Sequence, residues 1–92
     1  MLVFVFYDIS EDISRNHLIK LLQHYGLYRV QKSVFAGYLD LKRRLDLADK
    51  LDLYISSDND NIVLIPICKN CEESIFIEGF TEIPQIKDFD FV

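Results

Sequence analysis

The stretch Leu2-Val3-Phe4-Val5-Phe6-Tyr7-Asp8 determines the fold of this chain. Six consecutive apolar or aromatic residues are typical of a β-strand that is buried on both faces. Asp8 ends this run, so we expect its carboxylate at the rim of the sheet, held rigidly and still in reach of solvent. Such a carboxylate is a candidate metal ligand or catalytic acid. The alternative is that Asp8 only caps the turn into the next element.

A helix followed by strand-forming residues comes next. The spacing of Leu18, Leu21, Leu22 and Tyr25 puts these side chains on one helix face and predicts a helix over about 14–25, with Gly26 as its left-handed C-cap. Residues 27–39 are rich in β-formers. They predict one long strand, or two strands broken near residues 32–33 or at residue 37.

The second half of the chain predicts one more helix and several short strands. Asp40 is the expected N-cap, and the predicted buried helix face consists of Leu41, Leu45, Ala48 and Leu51. The composition of residues 56–61 predicts a turn. Their Asp and Asn oxygens could bind calcium, but the segment lacks the central Gly and the distant Glu of an EF-hand loop. Further strands are predicted at 62–67, ending at Pro66, at 74–77 and at 88–92.

The resulting order, β-α-β-(β)-α-β with short extra strands, predicts an α+β domain of the ferredoxin-like type. Its two helices cover one face of a four-stranded sheet. The right-handed crossover rule places the first strand near the middle of the sheet and beside the strand that follows it.

Composition indicates one small domain with more apolar surface than it can bury alone. Half of the 92 residues are hydrophobic and 13% are aromatic. A domain of this size buries only about 60% of its unfolded surface, so we expect a homodimer. No segment reaches membrane-spanning length, the opening run lacks the flanks of a signal peptide, and Cys68 and Cys71 give no disulfide framework. These features predict a cytoplasmic protein.

Charge is unevenly distributed along the chain. The net charge is −5, but residues 13–45 contain seven basic residues and one acid, whereas residues 46–92 contain eleven acids and three bases. This asymmetry is typical of a polyanion-binding surface backed by an acidic one. The alternative interpretation is a set of solvated helix faces.

The predicted elements carry several short motifs in a fixed order along the chain. They are Tyr7-Asp8-Ile9-Ser10, Arg15-Asn16, Tyr25-Gly26-Leu27, Arg29-Val30-Gln31-Lys32-Ser33-Val34-Phe35-Ala36-Gly37, Asp60-Asn61, and Ile65-Pro66-Ile67-Cys68 followed by Cys71. In this combination and spacing, the chain resembles the Cas two family, the small CRISPR-associated proteins of spacer adaptation.

The resemblance implies a ferredoxin-like domain over residues 1–79. It also implies a C-terminal extension, residues 80–92, that adds a strand to the partner subunit of a two-fold dimer. Members of the family are described as metal-dependent nucleases acting on RNA or double-stranded DNA. They are also described as the dimer that holds duplex DNA beside the CRISPR integrase.

The resemblance further assigns Asp8 as the catalytic residue and the ligand of Mg²⁺ or Mn²⁺. Two Asp8 carboxylates facing each other across the dimer axis would need a cation or a shared proton between them. The resemblance implies that the nucleic-acid-binding residues are basic: Arg15, His17, Arg29, Arg43 and Arg44. His17 stands where many relatives have Arg. The expected supporting residues are Tyr7, Ser33 and Phe35.

Other interpretations stay open at this point. His17 is compatible with an ordinary surface position, and core packing alone would explain Phe35. Cys68 and Cys71 have the spacing of half a zinc site, which only a dimer could complete, or of a redox pair. The alternative function is that of a toxin-like, metal-independent ribonuclease of related fold.

Overall fold

The computed structural model describes residues 1–79, which form one four-stranded sheet with two main helices on one face. The elements are β1 (Leu2–Asp8), α1 (Asp12–His24), β2 (Tyr28–Gln31), β3 (Val34–Tyr38), α2 (Leu41–Lys50), a 3₁₀ helix (Leu51–Tyr54), β4 (Asn61–Ile67) and the single-turn α3 (Lys69–Glu72). The strand predicted at 88–92 lies outside the described residues. Within residues 1–79, none of the helices has the length and hydrophobicity of a transmembrane segment.

The sheet has the strand order β2-β3-β1-β4, and β1 pairs antiparallel with both β3 and β4. This arrangement confirms the α+β, ferredoxin-like fold and the central position of β1. The expectation that β1 would lie beside β2 is wrong. The two β-α-β units interleave, so β3 lies between β1 and β2.

Local sequence signals account for the ends of the elements. Gly26 has a φ of 83°, the left-handed conformation predicted for the residue that ends α1. Residues 32–33 form the turn that separates β2 from β3. The Asp40 carboxylate accepts a hydrogen bond from the backbone N–H of Arg43 at 2.8 Å and thereby caps α2 as expected.

The two faces of β1 have different surroundings. Val3, Val5 and Tyr7 point to the helices and are buried, whereas Phe4 is half-buried and Phe6 is 40% exposed on the other face. The prediction that β1 is buried on both faces is therefore wrong for this chain, because helices cover only one side of the sheet. We call the other side the open face. It carries alternate residues of β1, β3 and β4, including Leu2, Phe4, Phe6, Val34, Ala36, Val63 and Ile65.

The buried face of α2 also differs from the prediction. Of the predicted face only Leu51 is buried, together with Leu47, whereas Leu41 and Leu45 are 62% and 53% exposed and Ala48 is also exposed. The leucines allow two overlapping stripes, and the packing of α2 buries the stripe that contains Leu47.

The strand predicted at 74–77 is absent from the described residues. This segment has no regular secondary structure, and Ile75 packs on the open face. Together with Phe4 and Phe6, the segment lines a cleft of about 210 Å³. The open face is thus covered only in part by residues 75–78.

Candidate functional site at the end of strand β1

Asp8 is exposed at the last position of the central strand, opposite Asn61 of β4. Because side chains alternate along a strand, its carboxylate lies on the same side of the sheet as Phe4 and Phe6. Among residues 1–79, no side chain or backbone N–H donates a hydrogen bond to this carboxylate. The acceptor oxygens of Asp8 are therefore available to a ligand at the end of the open face.

The backbone after Asp8 is held by the first turn of α1. Nη1 of Arg15 donates a hydrogen bond to the carbonyl oxygen of Ile9 at 3.0 Å, and Nη2 pairs with the carboxylate of Asp12. The guanidinium of Arg15 therefore lies close to the rim, as expected. Two of its five N–H donors are used in these contacts within the chain.

Asp60 forms a polar cluster beside the same rim. Its carboxylate accepts hydrogen bonds from the backbone N–H and the hydroxyl of both Ser10 and Ser56, at 2.9–3.0 Å, and from the hydroxyl of Ser57 at 3.1 Å. These hydrogen bonds, led by those from the backbone of Ser10 and Ser56, hold the pKa of Asp60 well below its usual range. Composition predicted the turn but not this role, because Ser10 lies 50 residues away in the chain.

The aromatic residues expected to support the site lie on the helix side of the sheet. Phe35 is 1% exposed, with its ring centroid 6.2 Å from that of Tyr7. Cζ of Arg29 lies 5.4 Å from the centroid of the Phe35 ring. Tyr7, Phe35 and Arg29 thus form a row on the opposite face from the Asp8 carboxylate.

The turn between β2 and β3 closes the other side of the rim. The backbone N–H of Tyr7 donates to the carbonyl oxygen of Ser33 at 3.1 Å, and the Tyr7 hydroxyl donates to that of Lys32 at 3.3 Å. Lys32 is exposed and lies next to the residue before Asp8. The structure thereby brings to the rim a cation that was not among the expected site residues.

The remaining basic residues lie elsewhere. His17 is exposed on α1. In the first turn of α2, Cζ of Arg43 is 5.2 Å from the Tyr25 ring centroid, and Nη1 of Arg44 is 3.2 Å from the sulfur of Met1. Since Met1 and Asp8 lie at opposite ends of β1, these arginines are separated from the Asp8 rim by about 20 Å along the strand.

The two cysteines are exposed at the ends of one helical turn after β4. Hydrogen bonds from the backbone N–H and the thiol of Cys71 lower the pKa of Cys68, and the pKa of Cys71 is raised by its hydrogen bond to Cys68. No group of three or more His, Cys, Asp or Glu side chains within residues 1–79 could hold a metal ion. A zinc site completed across a dimer stays a prediction.

The donor set at Asp8 is small for a divalent cation. One chain supplies a single free carboxylate there. Mg²⁺ keeps several water ligands and is commonly held by only one or two carboxylates. The residues present therefore fit a hydrated cation shared between two copies of Asp8, and they do not form a cage within one chain.

Comparison with known proteins places these features in a family. Residues 1–75 match the family model described as CRISPR associated protein Cas2. The chain is 40% identical over 88 residues to the CRISPR-associated endoribonuclease Cas2 1 of Archaeoglobus fulgidus, covering 96% of this chain and 94% of that protein. It is also 33% identical over 69 residues to a Cas1/Cas2 endonuclease fusion of Thermoproteus tenax, covering 75% of this chain and 26% of the fusion.

The fold comparison agrees with the sequence comparison. The crystal structure of Streptococcus pyogenes Cas2 at pH 6.5 superposes with a TM-score of 0.69 at 28% identity, covering 86% of this chain and all of that chain. Together with the family match over residues 1–75, this likeness extends from the opening strand through β4 and α3. The chain therefore belongs to the CRISPR-associated protein Cas2 family.

Proposed function

We propose that this chain is a homodimeric, Mg²⁺- or Mn²⁺-dependent endonuclease acting on RNA or DNA. In the same proposal, the dimer holds duplex DNA beside the CRISPR integrase during spacer acquisition. The observation that carries the proposal is the exposed Asp8 carboxylate at the end of the central strand. The endoribonuclease name of the A. fulgidus relative and the Cas1/Cas2 fusion in T. tenax support the activity and the partner, respectively.

The open face supports a dimer. It presents Phe6, Val63 and Ile65, each at least 40% exposed, on adjacent strands. A contiguous apolar sheet face of this kind is typical of a subunit interface. Because Asp8 lies at the end of this face, packing two copies through it would bring the two carboxylates together, and a cation would relieve their repulsion.

The chain's own groups would divide the work at the rim. Asp8 would hold the cation, and Lys32 would contact the phosphate backbone as a flexible point charge. Arg15 would hold the Ile9 carbonyl and bind phosphate with its remaining N–H donors. When bound, the cation polarises a phosphoryl oxygen and provides hydroxide near neutral pH.

Asp8→Asn tests the nuclease. We expect cleavage of RNA or duplex DNA in Mn²⁺ to fall at least about 100-fold, while light scattering still gives a dimer. Asp58→Asn is the matched control, since Asp58 is an exposed aspartate in the turn before β4, and it should cleave like the wild type. Undiminished cleavage by Asp8→Asn would exclude the proposed site. Cleavage that persists in excess chelator would instead favour the metal-independent, toxin-like ribonuclease.

Arg43→Gln tests the duplex-binding role of α2. Loss of one phosphate contact should lower the slope of log binding constant against log salt by about 0.9 per chain. Lys69→Gln removes one cation from α3, in the acidic half of the chain, and should leave the slope unchanged. Equal slopes for the wild type and Arg43→Gln would remove Arg43 from the binding surface, and Arg44→Gln tests Arg44 in the same way.

A further inference from the structure

The Asp60 carboxylate is saturated by donors from two separate segments. Its Oδ1 accepts from the N–H and hydroxyl of Ser10 and from the hydroxyl of Ser57, and its Oδ2 accepts from the N–H and hydroxyl of Ser56. An ionised carboxylate offers about four lone-pair sites, so five donors leave little capacity for a further ligand. Asp60 is also only 9% exposed. Asp60 is therefore not itself a candidate cation ligand.

The hydrogen bonds of Asp60 complete a set of restraints on three successive residues. Asp8 is held by strand pairing opposite Asn61, which directly follows Asp60 in the chain. The carbonyl oxygen of Ile9 is held by Arg15, and Ser10 is held by Asp60 through both its N–H and its hydroxyl. Strand β4, helix α1 and the turn before β4 thus each restrain one residue of the segment that carries the Asp8 carboxylate.

The turn that contains Asp60 is itself ordered by the same group. The N–H of Asp60 donates to the carbonyl oxygen of Ser57 at 3.1 Å, while its carboxylate binds Ser56 and Ser57. The turn is linked to Ser10 mainly through the two hydrogen bonds that Asp60 accepts at 2.9 Å, with a longer contact of 3.4 Å between the Ser10 and Ser57 hydroxyls. Loss of the anion would remove both of these shorter bonds to Ser10 and leave the pairing of β1 with β4 in place.

We propose that Asp60 is a positioning residue that fixes the segment 8–10 and thereby aims the Asp8 carboxylate at its ligand. This inference rests on the proposed function of Asp8. It assigns to Asp60 no contact with substrate or cation. Groups that orient a metal ligand typically change metal affinity or activity by about 10–100-fold when removed.

The test combines Asp60→Asn with a metal-binding readout that does not depend on cleavage. Asn keeps the size of Asp60 but replaces one acceptor oxygen with an NH₂ group, which cannot accept from Ser56 or Ser10. Mn²⁺ binding is followed by electron paramagnetic resonance of free Mn²⁺ and by broadening of the amide signals of residues 8–10. Asp58→Asn, two residues earlier in the same turn, is the control.

We expect Asp60→Asn to weaken Mn²⁺ binding at least about tenfold and to shift the Ser10 amide signal, with Asp58→Asn unchanged. In the Asp8→Asn background, Asp60→Asn should have no further effect on Mn²⁺ binding, because it acts through Asp8. Unchanged Mn²⁺ affinity in folded Asp60→Asn would overturn the positioning role while leaving Asp8 as the ligand. If Asp8→Asn itself binds Mn²⁺ like the wild type, the proposed function fails, and the role of Asp60 with it.

A second variant covers the case in which Asp60→Asn does not fold. Ser10→Ala removes the hydroxyl that donates to Asp60 and its longer contact with the Ser57 hydroxyl, and it keeps the Ser10 N–H and the bonds of Asp60 to Ser56 and Ser57. It should weaken Mn²⁺ binding by a smaller factor, about twofold to fivefold, in the same direction. Wild-type affinity in Ser10→Ala, measured beside an unfolded Asp60→Asn, would count against positioning and leave Asp60 with a purely structural role.

Discussion

Replacing Phe35 by Ala should destabilise the fold and separate a core role from a surface role for this residue. Phe35 is 1% exposed and packs against Tyr7. Removal of a buried Phe side chain costs about 3–5 kcal/mol, and loss of the contact with Arg29 adds about 0.5–1 kcal/mol. A chain of this length has roughly 5–14 kcal/mol of unfolding free energy in total. We therefore expect the melting temperature to fall by roughly 15–50 °C.

Urea denaturation followed by far-ultraviolet circular dichroism and tyrosine fluorescence measures this change. The chain has five tyrosines and no tryptophan, so tyrosine emission, to which Tyr7 contributes, reports on unfolding of the sheet and its helices. Protomer concentration must be kept constant, because dimerisation makes apparent stability concentration-dependent. Phe35→Leu is the companion variant, since it keeps most of the buried volume and should stay folded with a smaller loss.

The Arg29 contact can be isolated with a double-mutant cycle. Arg29→Gln should cost about 0.5–1 kcal/mol in the wild-type background and close to nothing beside Phe35→Leu, because the aromatic ring is then absent. A loss of less than about 1 kcal/mol in Phe35→Ala would refute the core assignment. Lost nucleic-acid binding in such a stable variant would instead support the site role that the family resemblance implies.

Three further outcomes follow from local chemistry. Asp40→Ala should lower the free energy of unfolding by about 1 kcal/mol in thermal denaturation, because α2 loses its N-cap hydrogen bond; a change within error would show that the cap contributes nothing. Iodoacetamide at pH 7 should label Cys68 faster than Cys71 in peptide mass spectrometry, because the pKa of Cys68 is lowered and that of Cys71 raised; the reverse order would contradict this. Because the pKa of Asp60 is lowered in the folded state, its ionised carboxylate contributes stability that is complete above its usual pKa of 3.8 and is lost as the pH falls below that value. In Asp60→Asn the free energy of unfolding should therefore depend less on pH below about pH 4. The same pH dependence in Asp60→Asn and the wild type would contradict the assignment.

The strand at residues 2–8 could be predicted from sequence, but its environment could not. An apolar run indicates burial without identifying what does the burying. Val3 and Val5 are covered by the chain's own helices, whereas Phe4 and Phe6 face a side that residues 75–78 cover only in part. Six apolar residues in sequence look the same whether the second face meets a helix layer or a subunit interface.

The leucines of α2 show the same limit in a helix. Leu41 and Leu45 make one stripe, and Leu47 and Leu51 make another that overlaps it. Both stripes satisfy helical periodicity, so only the tilt of α2 on the sheet decides which is buried. The cap at Asp40 was predictable, since its partner is three residues away.

Of the polar groups at the Asp8 rim, the sequence predicts Asp8 but not Asp60 or Lys32. Asp8 itself is identified by its position at the end of the strand. Asp60 belongs to a turn-forming segment, and its link to Ser10 spans 50 residues, which no local pattern reports. Lys32 reaches the rim because the β2–β3 turn is hydrogen-bonded to Tyr7, again a tertiary contact.

Asp8 lies on the same face of β1 as the exposed apolar side chains, so a partner that covers these side chains also affects the Asp8 site. Side chains two residues apart on one strand face are about 6.6 Å apart, so a surface that covers Phe6 must come within reach of Asp8. The carboxylate cannot withdraw easily, because residues 8–10 are each restrained by a different element. Under the proposed dimer, a cation that relieves the repulsion between two Asp8 carboxylates would strengthen association. By thermodynamic linkage, association would then strengthen cation binding by the same factor.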